Sequence, residues 1–336
     1  MRIRFILLPA LLLISACGNT GPRNGAAKTD AQVDVVPRTG KKINTDNTII
    51  EPLTLAQSNI AGKVKFISYR RYKLLRWKRK ALLAKGYYAY NSAGCLLSHS
   101  EYNQDSVRVV ACLYNYDDKN RATEWTVMDV NNGRDSKIVF TYSPRGSRTE
   151  EVVTDKDPKF SMKATFKYDS AGDEIQEKDF TEDGKLKEIV SCKYDARGNQ
   201  TDVAHHIAPD LIIHSKFTCI YDANGNEISG AKYSSDTAVI SKWTCKNNDS
   251  GKCVEKSYFT NDGCLAMKNT FKYDHRGNLL EYNYYRPNGA LNEEDSYSME
   301  YIYDKTGNIT KLTKFVTRSG KKIAVEYTDY EVTYFN

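Results

Sequence analysis

The sequence predicts an all-β protein: an antiparallel meander of repeated β-hairpins, about twenty strands, forming an elongated, twisted or curled sheet. Three observations predict it. A turn motif recurs with a 26-residue period. The segment before each motif alternates apolar and polar residues. Composition suits strands, with 24 Tyr against 11 Phe and only 8 Pro, and a modest 40% hydrophobic share fits a thin sheet.

In chain order, Arg2 and Arg4 precede an apolar run from Phe5 to Ile14. A run of ten residues is too short to span a bilayer, which takes about 20. It fits the apolar region of a signal peptide. Ile14-Ser15-Ala16-Cys17 follows and resembles the lipobox of bacterial lipoproteins. The resemblance implies cleavage after Ala16, leaving residues 1–16 as a lipoprotein signal peptide. It implies lipid attachment at Cys17, whose thiolate takes the lipid, and fatty acylation (palmitate) of the new amino group. One acyl chain binds membranes only marginally, whereas several anchor firmly. Gly18 in place of Asp favours the outer membrane under the known sorting rules. Residues 17–58 are small and polar without periodicity, as expected of a disordered tether.

Residues 59–336 are read as the repeat domain. Gly62 to Tyr69 alternates and reads as a first, edge strand, its Lys residues discouraging edge-to-edge pairing. Leu74 to Lys85 reads as a short basic helix or a second strand. Residues 62–85 hold ten Lys or Arg and no acid, against 39 basic and 42 acidic residues elsewhere, so the net charge of +7 is local. Its functional reading is contact with an anionic membrane or polysaccharide, and its plain reading is a solvated capping strand.

The motif appears as Tyr194-Asp195-Ala196-Arg197-Gly198-Asn199, as Tyr221-Asp222-Ala223-Asn224-Gly225-Asn226, as Tyr273-Asp274-His275-Arg276-Gly277-Asn278 and as Tyr303-Asp304-Lys305-Thr306-Gly307-Asn308. The nine reference positions are Tyr90, Tyr116, Tyr142, Tyr168, Tyr194, Tyr221, Asn247, Tyr273 and Tyr303, with steps of 26, once 27, and 30 at the last. So regular a period marks a repeat architecture. The Asp accepts hydrogen bonds from backbone N–H groups ahead of it. The Gly takes a positive φ and closes a type I turn with a bulge. A second turn lies between motifs, with Asp183-Gly184, Asp262-Gly263 and Ser319-Gly320 each ten residues before a Tyr. Each repeat therefore reads strand, turn, strand, turn.

Counting back two from each reference position gives Tyr114, Phe140, Phe166, Cys192, Cys219, Cys245, Phe271 and Tyr301. Thr, Ser and Lys fill the intervening places. Such alternation means one buried and one wet face, and each repeat buries its face only against neighbours.

The Tyr-Asp-x-x-Gly-Asn motif resembles the YD repeat of Rhs-type proteins. That resemblance implies a long antiparallel sheet of consecutive hairpins, which in the large toxins of the family spirals into a hollow shell. This chain is far shorter and lacks an Asp-Pro-x-Gly-Leu-like autoproteolysis box. It looks more like short lipid-anchored YD-repeat proteins of bacterial envelopes.

Few residues suggest chemistry. If Pro209 and Asp210 centre a turn, His205 and His214 face each other as a weak metal-ligand pair, but no third ligand is in place. Cys245 and Cys253 flank one turn, where a disulfide is conceivable although diagonal geometry often disfavours it. Cys192, Cys219 and Cys245 sit at core positions as small hydrophobes. No Gly-x-Ser-x-Gly, no His-Glu-x-x-His and no phosphate-binding Gly loop occurs. The motif Asp residues recur with the period and are explained by turns. The reading is a non-enzymatic scaffold, without cofactor or nucleic-acid partner, held to the membrane by lipid and presenting a surface to a glycan or envelope protein. Trp77 and Trp125 are candidate stacking residues, and Trp243 is assigned to the core. An accessory or remnant of an Rhs-type toxin or secretion system is the alternative, and an envelope hydrolase ranks below both.

Overall fold

The computed structural model describes residues 60–75 and 79–336. The expected signal peptide, the expected lipid-attachment residue Cys17, the expected tether and Trp77 lie outside the described residues. Twenty strands follow one another: β1 (Val64–Leu74), β2 (Lys80–Tyr90), β3 (Leu96–Asn103), β4 (Arg108–Tyr116), β5 (Ala122–Asp129), β6 (Arg134–Tyr142), β7 (Arg148–Asp155), β8 (Met162–Tyr168), β9 (Glu174–Thr181) and β10 (Leu186–Tyr194). The second half holds β11 (Gln200–Ile207), β12 (Ile212–Tyr221), β13 (Glu227–Tyr233), β14 (Val239–Asn247), β15 (Cys253–Thr260), β16 (Leu265–Tyr273), β17 (Leu279–Tyr285), β18 (Tyr297–Tyr303), β19 (Ile309–Arg318) and β20 (Lys321–Tyr334). Every consecutive pair is antiparallel, as the alternation and turn spacing predict.

The sheet is neither open nor elongated. β1 pairs with β20 from Val64↔Tyr334 to Lys73↔Glu326, which closes the meander into a barrel. Full closure removes the unpaired N–H and C=O rows that an edge would expose. β1 is therefore not an edge strand, because it is bonded to β2 on one side and β20 on the other. The segment from Leu74 to Lys85 contains no described helix, since Lys80 onward belongs to β2. The weakest stretch of wall is β17–β18, which register only through Glu281↔Ser298 and Tyr282↔Tyr297. The long connection that carries the 30-residue step lies there.

The buried face is the predicted one. Cys112, Tyr114, Ile138, Phe140, Ala164, Phe166, Val190, Cys219, Trp243 and Met299 are all buried. One core cluster joins β1–β7 to Tyr330 of β20, with Tyr69, Trp125 and Ile138 at its centre. A second gathers Val190, Val203, Cys219 and Trp243. Two glycines make room for large rings. A Cβ on Gly86 would lie 2.5 Å from the Tyr69 ring, and one on Gly230 would lie 2.1 Å from Trp243. At the β7–β8 connection a 3-10 turn, Pro158–Phe160, sets the Phe160 ring 3.7 Å from the buried Arg134 guanidinium, which also faces Asp155 at 3.5 Å.

Candidate functional site

The repeat motif resolves into a structural device. Asp195 Oδ1 accepts from the N–H groups of Arg197 and Asn199, each at 2.9 Å, and its Oδ2 accepts from Asn199 Nδ2 at 2.9 Å. Burial works against ionisation of Asp195, but these donors outweigh it and hold the carboxyl below the usual range. The motif Asn thus clamps the Asp, a role beyond tolerating the turn backbone. Gly198 at φ 83° closes the turn by donating its N–H to the Asp195 carbonyl. In the copy without Gly, Asn120 takes the left-handed position at φ 59°.

The motif Tyr does more than fill an aromatic column. Its hydroxyl reaches into the preceding repeat and donates to a main-chain carbonyl: Tyr116 to Leu96, Tyr142 to Ala122, Tyr194 to Glu174, Tyr221 to Gln200 and Tyr273 to Cys253, at 2.6–3.0 Å. Tyr303, and likewise Tyr334 at the end of β20, donate instead to Asp274 and Asp304 of the preceding turn, at 2.7 and 2.6 Å. Burial raises the pKa of Tyr116, Tyr194, Tyr221, Tyr273 and Tyr303, that of Tyr303 to about 12, and keeps them as donors.

The two histidines are not brought together. His205 points into the barrel, nine-tenths or more buried, with Nδ1 2.5 Å from Glu188 Oε1. A bulge between His205 and His206 pairs His205 with Ser215, and His214 is exposed on the outer face. Among the described residues no group of three or more His, Cys, Asp or Glu is arranged to hold a metal. Trp125 is 1% exposed and stacked on Tyr114 at 5.4 Å, so it presents nothing to a ligand. Trp243 lies in the core, its Nε1 donating to Glu227 at 2.6 Å. Cys245 and Cys253 form a disulfide with Cα atoms 6.1 Å apart. Cys219 is buried and Cys192 half-buried.

Polar groups inside the barrel are locked to neighbours. The Tyr69 hydroxyl donates to Glu101 at 2.5 Å, and Arg71 faces the same carboxylate at 3.9 Å. His99 stacks flat on Tyr88, centroids 4.4 Å apart and planes 4° apart. Burial pushes its pKa down to about 4.

The outer face has the opposite character. Lys137 pairs with Glu124, Lys163 with Glu150, Lys246 with Glu255 and Lys272 with Glu281, all across strands at 2.6–2.9 Å. Single exposed aliphatics such as Leu113, Ile220 and Ile302 are scattered among them. An outer wall lined with charged pairs is unlike that of a lipid-embedded barrel, whose outward band is apolar.

One part of this face departs from the pattern. Where β20, β1, β2 and β3 close the barrel, tyrosines replace Thr and Ser on the outside. Tyr72 and Tyr327 stack at 4.9 Å and 21° across the β1–β20 seam. Lys80 lies 4.5 Å from the Tyr72 ring centre and Lys311 4.7 Å from that of Tyr327. Phe66 meets Tyr87 at 5.6 Å, Tyr87 meets Tyr102 at 5.9 Å, and Lys85 reaches over Tyr102. The predicted basic stretch is thus the first hairpin, and it brings the rings with it. These rings were missed by sequence reasoning. Their signal is phase: Tyr87 is out of step with the inward Tyr88 and Tyr90.

No family model and no curated protein matches the chain. Among solved structures it is similar to a porin-like protein from Bacteroides uniformis, at 11% identity and a TM-score of 0.34 over 81% of this chain and 98% of that one. It is also similar to a Tc holotoxin pore from Photorhabdus luminescens, at 11% identity and a TM-score of 0.38 over 73% of this chain, which spans 15% of the toxin chain. At these values neither likeness bears on what the protein does.

Proposed function

We infer that the protein is an envelope-anchored, non-enzymatic β-repeat scaffold whose closed barrel presents its outer wall to a glycan or an envelope protein. The polarity of the wall carries this reading. Aromatic and aliphatic side chains face inward together with polar groups bonded to their neighbours, the turn acids are tied up in hydrogen bonds of the fold, and variety is left to the outer surface. A charged exterior suits a body held beside a membrane, not within it. Attachment then falls to lipid on Cys17, with residues 17–58 as the tether, and Gly18 directs the protein to the outer membrane. Folds host many functions, so the reading rests on this surface and not on fold resemblance.

The test is to label cells with a palmitate analogue, fractionate envelopes, and probe the purified protein on an array of glycans and envelope proteins. Wild type should take label and partition with the outer membrane, and Cys17→Ser should do neither. Label on Cys17→Ser would overturn the anchor. Turnover of any arrayed polymer would overturn the non-enzymatic assignment.

A further inference from the structure

We propose that the outer face of the closing seam is a binding site for an acidic polysaccharide, with Lys80, Lys85, Lys311 and Arg70 taking its carboxylates and the Phe66–Tyr87 pair taking sugar ring faces. This deepens the scaffold reading and rests on it.

The register places the cations in order. Lys311 lies opposite Asp329, Asp329 opposite Arg70, Arg70 opposite Lys85, and Lys85 opposite Tyr102. Five neighbouring strands at ~4.8 Å spacing make this row about 19 Å long. A row across strands fits an extended polymer better than a compact ligand. The ammonium groups are held in place, not free to sweep. Lys80 and Lys311 lie against the Tyr72–Tyr327 stack, and Lys85 donates to Ser106 Oγ at 3.1 Å. Tyr327 also stabilises the charged form of Lys80. Cations ordered in advance lose less entropy when an anion arrives.

Charge complementarity selects the occupant. The stretch 62–85 carries ten cations and no acid. The acids that share the face come from β20. Glu331 faces Arg70 at 3.8 Å with both side chains more than half exposed, a contact of little worth that a ligand carboxylate can replace. Phe66 and Tyr87 are half-buried rings tilted 30° to each other, lying beside the cations. A sugar presents an apolar C–H face to such rings while its carboxylate stays in the plane of the cations. An acidic peptide or an anionic bilayer offers the charge without that face.

The full-length chain in detergent micelles is tested against immobilised polygalacturonate, neutral dextran, polyglutamate and phosphatidylglycerol vesicles. Polygalacturonate should bind tightest. The double variant Lys80→Glu/Lys85→Glu should weaken it about tenfold or more, with circular dichroism and urea midpoint as in the parent. Lys167→Glu/Lys193→Glu, the same charge change on exposed positions of β8 and β10, should leave it unchanged. Tyr87→Leu should weaken polygalacturonate and not polyglutamate. Equal binding by the seam variant, or polyglutamate or vesicles bound as tightly as polygalacturonate, overturns the site. Dextran bound in preference overturns it while leaving the glycan-scaffold reading intact, and no binding to any glycan removes glycans from that reading too.

Discussion

The side-chain amide of Asn247 donates to the main-chain carbonyl of Glu227, 2.8 Å away and twenty residues back. Tyr194 makes the same bond to Glu174 with its hydroxyl. What the repeat retains at this position is a donor that reaches the neighbouring repeat, and a ring is one way to supply it.

Removing that donor should cost stability without changing the fold. Asn247→Ala and Tyr194→Phe should each lose about 1–2 kcal/mol, since a half-buried carbonyl is left without its partner. The urea midpoint should fall at an unchanged slope. Asn247→Gln, which keeps an amide, should recover part of the loss.

A glycine crowded by a buried ring should behave unlike an open turn glycine. Gly230→Ala meets both the Trp243 ring and the Thr218 carbonyl at 2.5 Å or less, and backbone does not yield as a side chain does. It should cost about 3 kcal/mol or more. Gly184→Ala has nothing within 4 Å and pays only for φ 79°, about 1 kcal/mol. Thermal unfolding of the pair separates the two costs.

His99 predicts an acid-sensitive barrel. In the fold its imidazole stays neutral down to about pH 4, whereas the unfolded chain takes up a proton near pH 6.5. The unfolded state therefore binds more protons between these values, and stability is lost as pH falls from 6.5 towards 4. The loss should approach about 3 kcal/mol. His99→Phe, which keeps a ring against Tyr88, should flatten that part of the profile in urea titrations.

The disulfide should act locally. Cys245 and Cys253 are eight residues apart, and opening so short a loop should cost about 2.5 kcal/mol. Dithiothreitol should lower the urea midpoint of the wild type and leave Cys245→Ala/Cys253→Ala unmoved.

The repeat was legible because its turn uses residues with few substitutes. Asp195, Gly198 and Asn199 each answer a local backbone demand, so period and chemistry appear together in the sequence. The buried column through Tyr114, Phe140 and Cys219 was legible from alternation alone. Closure was not. Alternation says which side of a strand is wet, and says nothing about whether β1 meets β20. The lysines of β1 were for that reason read as guarding an edge that does not exist. Phase is the second limit. One extra residue in a strand reverses the facing of all that follows. The bulge at His205/His206 moved His214 to the outside, and the motif-turn bulge between Asn115 and Tyr116 sets Trp125 inward. For Trp243, read by alternation along β14 itself and not across a turn, the facing came out as expected.

The pairing of Val64 with Tyr334 joins residues 270 positions apart, while every other strand meets its sequence neighbour. Nineteen of the twenty registers can form by local zippering as the chain emerges, all but β17–β18 across a short turn. The twentieth closes the longest loop in the molecule and carries its largest single loop-closure cost. Until it forms, the first hairpin waits with a bare edge, and the lysines that are idle as edge guards in the finished barrel protect it during that interval. They are useful to a state the native structure never shows.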